Sequence, residues 1–363
     1  MPMIEFATWN LEWMNDWFTD GPSFHPDDRR VRGPNPGSRD NPTLLERRQS
    51  VSGAIDEMGL DVIVVVEGPN KADELQLFFD TDVSGDWTCD VQPTKGASQI
   101  VGIAVRTDTG KFADPPLTRF HVGEGQGGEA ERISSATVPF LLDTDGDGID
   151  EYHKFERLPL YAQVNVADGT RFRVLGLHLK SKGVFDTLEW AKWWATADGN
   201  RKKIVAQCRQ LRKEFLDHYL AEAATRDIAL VVCGDVNDGP GMDASEQRLN
   251  TSGVERLMGT VWKPQLTLGN ALYDALDDED RHEIAIDDIS TSSFRDPLID
   301  SYRKVWLDHV LYSNNKAEQW LGEGKVFREF AGANPGETEM IWRKYPHASD
   351  HHPVFARIDS AKL

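Results

Sequence analysis

Short apolar runs that end abruptly at a polar residue recur along this chain. Runs such as residues 62–66 (VIVVV) and 228–233 (IALVVC) are too short for helices and are typical of buried strands. Residues 44–58 and about 188–224 have helical spacing instead, and the ADGN sequence within the second segment predicts a break or kink there. Many strands with a few helices between them predict two packed β-sheets with helices outside.

Three long segments show no clear hydrophobic period. Residues 14–43 are rich in Pro, Gly, Asp and Arg and predict a long surface insertion, and residues 107–156 read mostly as loop. Residues 239–300 read as irregular, with short helices near 244–250 and 270–277. Because the sequence contains no repeat and no obvious linker, we expect one domain over residues 1–363 with these three insertions.

The charge balance limits the kinds of partner that the chain can attract. It carries 40 Lys and Arg against 60 Asp and Glu, a formal net charge of −20 over 363 residues. Such a surface repels polyanions at long range, which disfavours tight non-specific binding of nucleic acid. A metal ion and a few local cations can still dominate one groove. No protein partner is evident from the sequence.

Cysteine content and apolar run lengths bear on the compartment. Three cysteines form neither a disulfide framework nor a zinc motif. No run reaches the ~18 consecutive apolar residues of a membrane span, and the N-terminal MPMIEFATWN lacks the pattern of a signal peptide. We therefore expect a cytoplasmic protein without a membrane span, although a secreted enzyme that lacks its leader would have the same sequence.

Polar residues follow six of the apolar runs, at positions where strands end and side chains are free to do chemistry. Alone, each of them is typical of a turn former or helix cap. Their joint occurrence at six strand ends is what favours a functional site. These residues are Asn10, Glu67, His178, Asp235, Asn237, Asp308, Asp350 and His351, with Glu12 on the same face as Asn10 if the strand continues.

These residue types fit the hydrolysis of a phosphate ester. Carboxylate and amide oxygens suit a hard divalent cation, histidine can activate water, and Asn or His can hold phosphoryl oxygens. The sequence contains neither a cysteine-nucleophile arrangement nor a serine elbow. The pattern therefore predicts a divalent-metal-dependent phosphoesterase that uses Mg²⁺ or Mn²⁺.

The same motifs resemble the endonuclease/exonuclease/phosphatase superfamily, a set of deoxyribonuclease-like metal-dependent phosphoesterases. The matching pieces are TWN, VVEG, GLHLKS, GDVND, LDHVLYS and SDHHPV, in this order, with RLPLYA at 157–162 resembling a further strand. GDVN and SDHHP are the most specific. The resemblance spans residues 8–354 and implies an α+β fold, a four-layered α/β/β/α sandwich of two mixed sheets flanked by helices.

The resemblance also implies roles for the metal ligands. Glu67 is the expected principal ligand, with help from Asn10 and Asp350. Glu12 stands where some members of the superfamily have a second acidic ligand and others have none.

The remaining motif positions carry the expected catalytic roles. Asp235 would orient or deprotonate water, or protonate the leaving oxygen, and Asn237 would bind a phosphoryl oxygen. His351, polarised by Asp308, would act as base or phosphate contact. His178 matches a histidine that acts as general acid or transition-state stabiliser in the pancreatic-type deoxyribonucleases.

Two further signals lie outside these motifs. Asp143, Asp145 and Asp147 alternate as in calcium loops, but Lys154 stands where the closing glutamate belongs, so both a structural Ca²⁺ site and an Asp/Gly-rich surface turn are open. Lys180 and Lys182 follow His178 closely and are candidates for substrate phosphate contacts.

The sequence leaves three functions open. A nuclease or related phosphodiesterase acting on nucleic acid is favoured by GLHLKS. A phosphatase or phosphodiesterase for a small-molecule or lipid phosphate ester is favoured by the acidic surface. A non-catalytic binding module on the same scaffold is disfavoured because no core position of the motifs is lost.

Overall fold

The structure is a computed structural model that describes residues 2–34, 41–124, 127–184, 189–239, 244–277, 289–296, 301–332, 334 and 336–363. The strands, in chain order, are β1 (Met3–Asn10), β2 (Val62–Gly68), β3 (Trp87–Val91), β4 (Ile100–Arg106), β5 (Phe112–Phe120), β6 (Phe140–Leu142), β7 (Glu151–His153), β8 (Leu160–Val166), β9 (Arg171–His178), β10 (Ala229–Asp235), β11 (Leu268–Asn270), β12 (Ser292–Asp296), β13 (Ser301–Val305), β14 (Asp308–Ser313), β15 (Leu321–Val326), β16 (Glu329–Ala331), β17 (Thr338–Met340) and β18 (Val354–Asp359).

The α-helices are α1 (Leu44–Met58), α2 (Ala72–Asp82), α3 (Gly128–Thr137), α4 (Trp190–Leu211), α5 (Asp217–Ala221), α6 (Ala244–Leu249), α7 (Gly253–Met258), α8 (Ala271–Asp274) and α9 (Ile341–Lys344). A π-helical turn at Arg212–Leu216 joins α4 to α5, and short 3-10 helices lie at Met14–Trp17, Pro264–Leu266 and Ser360–Lys362. Within the described residues, no helix combines the length and apolarity that crossing a bilayer requires.

Two mixed six-stranded sheets form the centre of the fold. The first has the order β15-β18-β1-β2-β4-β3 and the second the order β11-β14-β10-β9-β8-β5. Side chains from both sheets, such as Phe6 and Val64 from the first and Val174 and Val231 from the second, share one buried apolar cluster. The sheets therefore pack face to face, as alternating buried strands require.

Helices cover the outer face of each sheet. Trp9 and Ile63 pack in one cluster with Val51 of α1 and Phe78 of α2. On the other side, apolar residues of β9 and β10 pack with α4 and the π-helical turn. The predicted four-layered α/β/β/α sandwich is confirmed.

Each sheet contains one parallel pair of neighbouring strands, and these pairs position the site. β1 runs parallel to β2, and β9 runs parallel to β10, whereas the other pairs within the two sheets are antiparallel. Parallel neighbours end at the same edge of a sheet. In each parallel pair, the last or next-to-last residues of the two strands therefore lie side by side.

The three insertions differ from the sequence-based expectation. Met14 and Trp17 are fully buried in the core, so 14–43 is not only a surface insertion. Residues 107–156, expected to be mostly loop, contain β5, α3 and the β6–β7 hairpin. β5 was not predicted because its sequence contains two prolines. A strand tolerates proline at the edge of a sheet, and β5 is an edge strand with an irregular register.

The long helix and the 239–300 segment also differ in detail. α4 continues through Gly199 without the predicted break, because Ile204, Cys208 and Leu211 bury its inner face and offset the roughly 1 kcal/mol cost of an interior glycine. The irregularity lies further on, at the π-helical turn. Short helices are present near the two predicted places, and α7 is an additional one. Residues 35–40, 125–126, 240–243, 278–288 and 297–300 of the insertions lie outside the described residues. The single domain stays a prediction.

Gly234 shows how tightly β10 is fitted against β9. Its φ is +118°, and a Cβ built there would stand 2.1 Å from the carbonyl oxygen of Leu177. Only glycine can occupy this position, because both the backbone conformation and the close approach exclude a side chain. Gly234 thereby fixes the direction in which the next residue, Asp235, leaves the strand.

We predict that Gly234→Ala lowers the free energy of unfolding by more than about 3 kcal/mol, measured by denaturant titration. Gly110→Ala is the matched control: Gly110 also has a positive φ, +69°, but no atom lies within 4 Å of the added Cβ. The control should cost only the backbone term of about 1 kcal/mol. Equal losses in the two variants would contradict the close approach of β10 to Leu177.

Candidate active site

The residues singled out from the sequence meet at one edge of the sandwich. Asn10, His178 and Asp235 are the last residues of β1, β9 and β10, and Glu67 is the last but one of β2. The Nδ2 of Asn10 lies 3.2 Å from Glu67 Oε1 and 3.2 Å from Asp235 Oδ2, so one side-chain amide joins the first sheet to the second. The site therefore lies between the ends of the two parallel pairs.

Backbone groups of the turn after β1 hold the Glu67 end of this site. The Oδ1 of Asn10 accepts a hydrogen bond from the backbone N–H of Glu12, at 2.9 Å. The next backbone N–H, that of Trp13, donates to Glu67 Oε2 at 3.0 Å. Gln99 Nε2 donates to the same Glu67 oxygen at 2.5 Å. The Glu67 carboxylate is thus fixed in one orientation.

His178 is held with one ring nitrogen bonded and the other facing carboxylates. Its Nδ1 donates to the carbonyl oxygen of Gln99 at 3.1 Å, and its Nε2 stands 3.9 Å from both Glu67 Oε1 and Asp235 Oδ2. Burial, and then the nearby guanidinium of Arg157, lower the pKa of His178 well below its usual range. The ring is therefore neutral at pH 7, with an unprotonated Nε2 in the site.

Asp235 and Asn237 are linked through a tight turn. The backbone N–H of Asn237 donates to Asp235 Oδ1 at 2.8 Å, and the Asn237 side chain donates to the carbonyl oxygen of Leu179 at 3.3 Å. Burial raises the pKa of Asp235 to about 7, and the like charge of Asp308 adds to this effect. A carboxylate with such a pKa can accept a proton near neutral pH.

His351 and Asp308 form a buried pair. His351 Nδ1 donates to Asp308 Oδ2 at 2.7 Å, and the backbone N–H of Asp308 donates to Thr291 Oγ1 at 3.0 Å. Burial lowers the pKa of His351, but the carboxylates around it, Asp308 first, outweigh this and raise the pKa well above its usual value. This environment favours the protonated ring, and its Nε2 lies 4.0 Å from Asp350 Oδ1.

Glu12 and Asp350 add two carboxylates on the β1 side. Arg47, which is fully buried, lies 3.6 Å from Glu12 Oε2 and donates to the backbone carbonyl oxygens of Leu11 and Glu12. Burial raises the pKa of Glu12 to about 8, and repulsion by Asp350 contributes. The single guanidinium therefore does not neutralise the acidic groups here.

The donor set fits a hard divalent cation. Each of three buried oxygens, Glu12 Oε2, Asp308 Oδ1 and Asp350 Oδ1, makes no hydrogen bond within the described residues. The carboxylates of Asp235 and Asp308 add two further oxygens that lie within 4.8 Å of each other. Oxygen-rich carboxylate and amide groups are what Mg²⁺ and Mn²⁺ prefer. The residues present are thus suited to such an ion.

Backbone strain is concentrated around the site. Within the described parts of the chain, seven residues other than glycine have a positive φ, and five of them border this site. These five are Glu12, Trp13, Glu67, Gln99 and Asn237. Such conformations cost about 1–3 kcal/mol each and persist where the surrounding contacts over-determine them. Their clustering indicates that the fold holds these side chains in place at the expense of stability.

The two lysines after His178 differ in position. Both are partly buried, and the backbone N–H of Lys180 donates to Gln207 Oε1 at 3.0 Å. Burial, and then the like charge of Arg201, lower the pKa of Lys182 to about 7, while Glu246 and Asp235 act in the opposite direction. Lys182 is therefore close enough to Arg201, Glu246 and Asp235 to interact with their charges, and both lysines stay candidates for a substrate phosphate contact.

Four residues with contacts to the site were not found from the sequence. Gln99 and Arg157 are joined by an Oε1–Nη1 contact of 3.5 Å, and Arg157 also donates to the carbonyl oxygen of Leu179 at 3.0 Å. Arg47 and Thr291 anchor Glu12 and Asp308. Arg157 lies in the RLPLYA motif, although its role was not predicted. Gln99, Arg47 and Thr291 belong to no motif, because they reach the site through contacts that are long-range in sequence.

The acidic loop lies away from this site, against α4. Asp143, Asp145 and Asp147 each offer a carboxylate oxygen within 4.8 Å of the others. The Asp143 carboxylate accepts hydrogen bonds from the backbone N–H groups of Gly146 and Gly148, at 2.7 and 2.9 Å. The ammonium of Lys202 pairs with Asp145. The loop thus has the shape of a cation site but already contacts one cation of the protein.

Comparison with known proteins supports the fold. No protein-family model and no curated protein sequence matches this chain. Among solved structures, an AP endonuclease from Leishmania major superposes with a TM-score of 0.51 at 13% identity, covering 98% of this chain and 88% of that one. Truncated Caenorhabditis elegans TDP2 gives 0.49 at 11% identity, covering 98% and 97%. A Bacteroides thetaiotaomicron mannosyl-6-phosphatase gives 0.47 at 12% identity, covering 97% and 98%.

The first of these similarities, with its TM-score above 0.5, shows the fold. The chain has the same four-layered fold as this AP endonuclease, and it is the fold that the sequence motifs predicted.

Proposed function

We propose that this protein is a divalent-metal-dependent hydrolase of phosphodiester bonds, and that it acts as a nuclease. The observation that carries the proposal is the Asn10 amide, which joins Glu67 of one sheet to Asp235 of the other beside the His351–Asp308 pair. These groups are the ones that metal-assisted attack of water on a phosphate ester requires. The fold shared with an AP endonuclease supports the same class.

Four residues would hold the metal ion. Glu67 is the principal ligand in this proposal, with Asn10, Asp350 and Glu12 around it. A bound Mg²⁺ or Mn²⁺ supplies charge stabilisation at the phosphoryl oxygens and a template for the attacking water. One oxygen of Glu12 and one of Asp350 make no hydrogen bond within the described part of the chain, and their nearest protein cations, Arg47 at 3.6 Å and His351 at 4.0 Å, compensate them only in part. These oxygens favour the assignment because a divalent cation would complete that compensation.

The protein's own groups divide the proton chemistry. Asp235, with its raised pKa, accepts a proton from the attacking water. His351 holds a proton, because of Asp308, and so serves as a charged donor to a phosphoryl oxygen rather than as a base. Asn237 orients the same phosphoryl group. His178, with its proton on Nδ1, presents an acceptor nitrogen, so the role of general acid or transition-state stabiliser that the motifs imply would require a proton on its Nε2.

The alternative function is hydrolysis of a small-molecule or lipid phosphate ester. The net charge of −20 favours it, because nucleic acid gains no general electrostatic attraction from such a surface. The fold is compatible with both, since one fold commonly hosts several substrates. A binding module without catalysis is the third possibility.

The test is incubation of the protein with plasmid DNA, RNA and bis-(p-nitrophenyl) phosphate, with Mn²⁺ or Mg²⁺ and with EDTA. We expect metal-dependent cleavage of nucleic acid and of the small ester, both stopped by EDTA. Cleavage of the small ester alone would favour the alternative. Silence with all three substrates would contradict the enzyme proposal and support a binding module.

His351 gives the sharpest single variant. We expect His351→Ala to lower kcat by about 10²- to 10³-fold, because a preorganised charged donor at the phosphoryl oxygen is lost. Mn²⁺ affinity, measured by calorimetry, should change little. His218→Ala, with an exposed imidazole, is the control. Near-normal turnover in His351→Ala would contradict the role given to this residue.

We also propose that the loop of Asp143, Asp145 and Asp147 binds a structural Ca²⁺. Its carboxylates approach one another as in a calcium loop, and Ca²⁺ would compete with the Lys202 ammonium for Asp145. Calorimetric titration should show a calcium-binding step that Asp143→Ala removes while metal-dependent activity remains. A wild-type protein without that step would leave the loop as an Asp/Gly-rich surface turn.

A further inference from the structure

Trp13 lies at the edge of the candidate metal site. Its backbone N–H donates to Glu67 Oε2 at 3.0 Å, and its backbone has a φ of 61° in the turn after β1. The indole is only partly buried. A partly buried aromatic ring therefore lies on the residue that holds the proposed principal metal ligand.

Arg32 covers this ring. Its guanidinium carbon lies 3.8 Å from the centroid of the Trp13 ring, within the range of a cation–π contact. The side chain is exposed, and within the described residues it forms no ion pair with a carboxylate. By contrast, Arg30 lies near Glu46, and Arg48 pairs with Asp27 and Asp82. Arg32 thus keeps its positive charge available.

The backbone on both sides of Arg32 is anchored. Val31 is buried, and its N–H donates to the carbonyl oxygen of Pro42 at 3.0 Å. Gly33 packs so closely that an added Cβ would stand 2.6 Å from a ring carbon of Pro42. Because its neighbours are fixed, Arg32 is placed over Trp13 by the fold as well as by its own ring contact.

The distance to the metal site suits a neighbouring phosphate. The path from Glu67 Oε2 to the Arg32 guanidinium runs through the hydrogen bond to the Trp13 N–H, the length of the tryptophan residue, and the contact of its ring with Arg32. These lengths add up to no more than about 12 Å. A nucleic-acid strand places one charge every ~3.4 Å along a duplex axis. A cation at this range can therefore reach a phosphate one to a few nucleotides from the scissile one.

We propose that Arg32, held over Trp13, binds a second, non-scissile phosphate of an oligonucleotide substrate. This inference rests on the proposed phosphodiesterase function and narrows its substrate to a strand with more than one phosphodiester. With 60 acidic residues, the protein as a whole repels a nucleic-acid strand. A guanidinium beside the site that has no carboxylate partner among the described residues attracts a phosphate of that strand locally. A single phosphate ester could not use it.

The experiment compares wild type, Arg32→Ala and Arg29→Ala on three substrates with Mn²⁺. The substrates are a short single-stranded oligonucleotide, the same oligonucleotide with an uncharged methylphosphonate at one linkage flanking the scissile bond, tested in turn on each side, and bis-(p-nitrophenyl) phosphate. Arg29 is the matched control because it is exposed, lies three residues away and forms no ring contact within the described residues.

We expect Arg32→Ala to lower kcat/KM for the unmodified oligonucleotide about three- to tenfold, mainly through KM. The slope of log(kcat/KM) against log[salt] should become shallower by about 0.7, the loss of one single-strand phosphate contact. With the methylphosphonate on the side that Arg32 contacts, wild type and variant should converge. Arg29→Ala should behave as wild type.

Three results would overturn the inference. They are an equal loss on all substrates in Arg32→Ala, no loss on any, and an unchanged difference between wild type and variant after the flanking charge is removed. Hydrolysis of bis-(p-nitrophenyl) phosphate without cleavage of the oligonucleotide would reject the inference and leave the phosphoesterase function standing. Absence of hydrolysis with every substrate and metal would reject both.

Discussion

Buried negative charge between two sheets is the constraint on which the rest of this structure depends. Glu67 from one sheet and Asp235 from the other approach the same Asn10 amide. Asp308, the partner of Asp235 on the neighbouring strand β14, repels it. Burying carboxylates together is costly unless hydrogen bonds and cations compensate them. The details of the surrounding structure can be understood as ways of supplying that compensation.

The compensation comes from several parts of the chain. Arg47 of α1 and Arg157 before β8 bring fixed positive charge, and the His351 ring holds a proton because Asp308 accepts from it. Backbone N–H groups after β1 and β10 point at carboxylate oxygens, which requires the positive φ values found there. Some carboxylate oxygens of the site still make no hydrogen bond to the described residues, so the protein's own groups do not fully compensate the negative charge. A divalent cation would complete that compensation.

The sequence predicted the parts of this arrangement that depend on local pattern. Strands such as β2 and β10 are continuous apolar runs that stop at a functional residue, so Glu67 and Asp235 could be found by inspection. α1 begins after Thr43, which forms a capping box with Glu46, and ends at Gly59, so its bounds were predictable too. The closeness of the parallel strand ends could also be expected, because it is a consequence of the fold that the motifs implied.

What the sequence did not reveal depends on contacts between distant segments. Gln99 reaches Glu67 from the start of β4, and Thr291 reaches Asp308 across an insertion, and neither residue stands out in its own neighbourhood. Met14 and Trp17 looked like part of a surface insertion because their burial is decided by α1 and α2 packing over them. Secondary-structure propensity and hydrophobic periodicity carry no information about such long-range contacts.

A divalent cation between the two sheets would complete the charge balance that the protein leaves open. Anomalous X-ray diffraction from crystals of the protein soaked in Mn²⁺ would locate such an ion. We expect an anomalous peak within about 2.0–2.4 Å of a Glu67 carboxylate oxygen, with further oxygen ligands from the neighbouring residues. Ordered density for these side chains without such a peak, or manganese bound only at the Asp143–Asp147 loop, would show that no cation compensates these carboxylates.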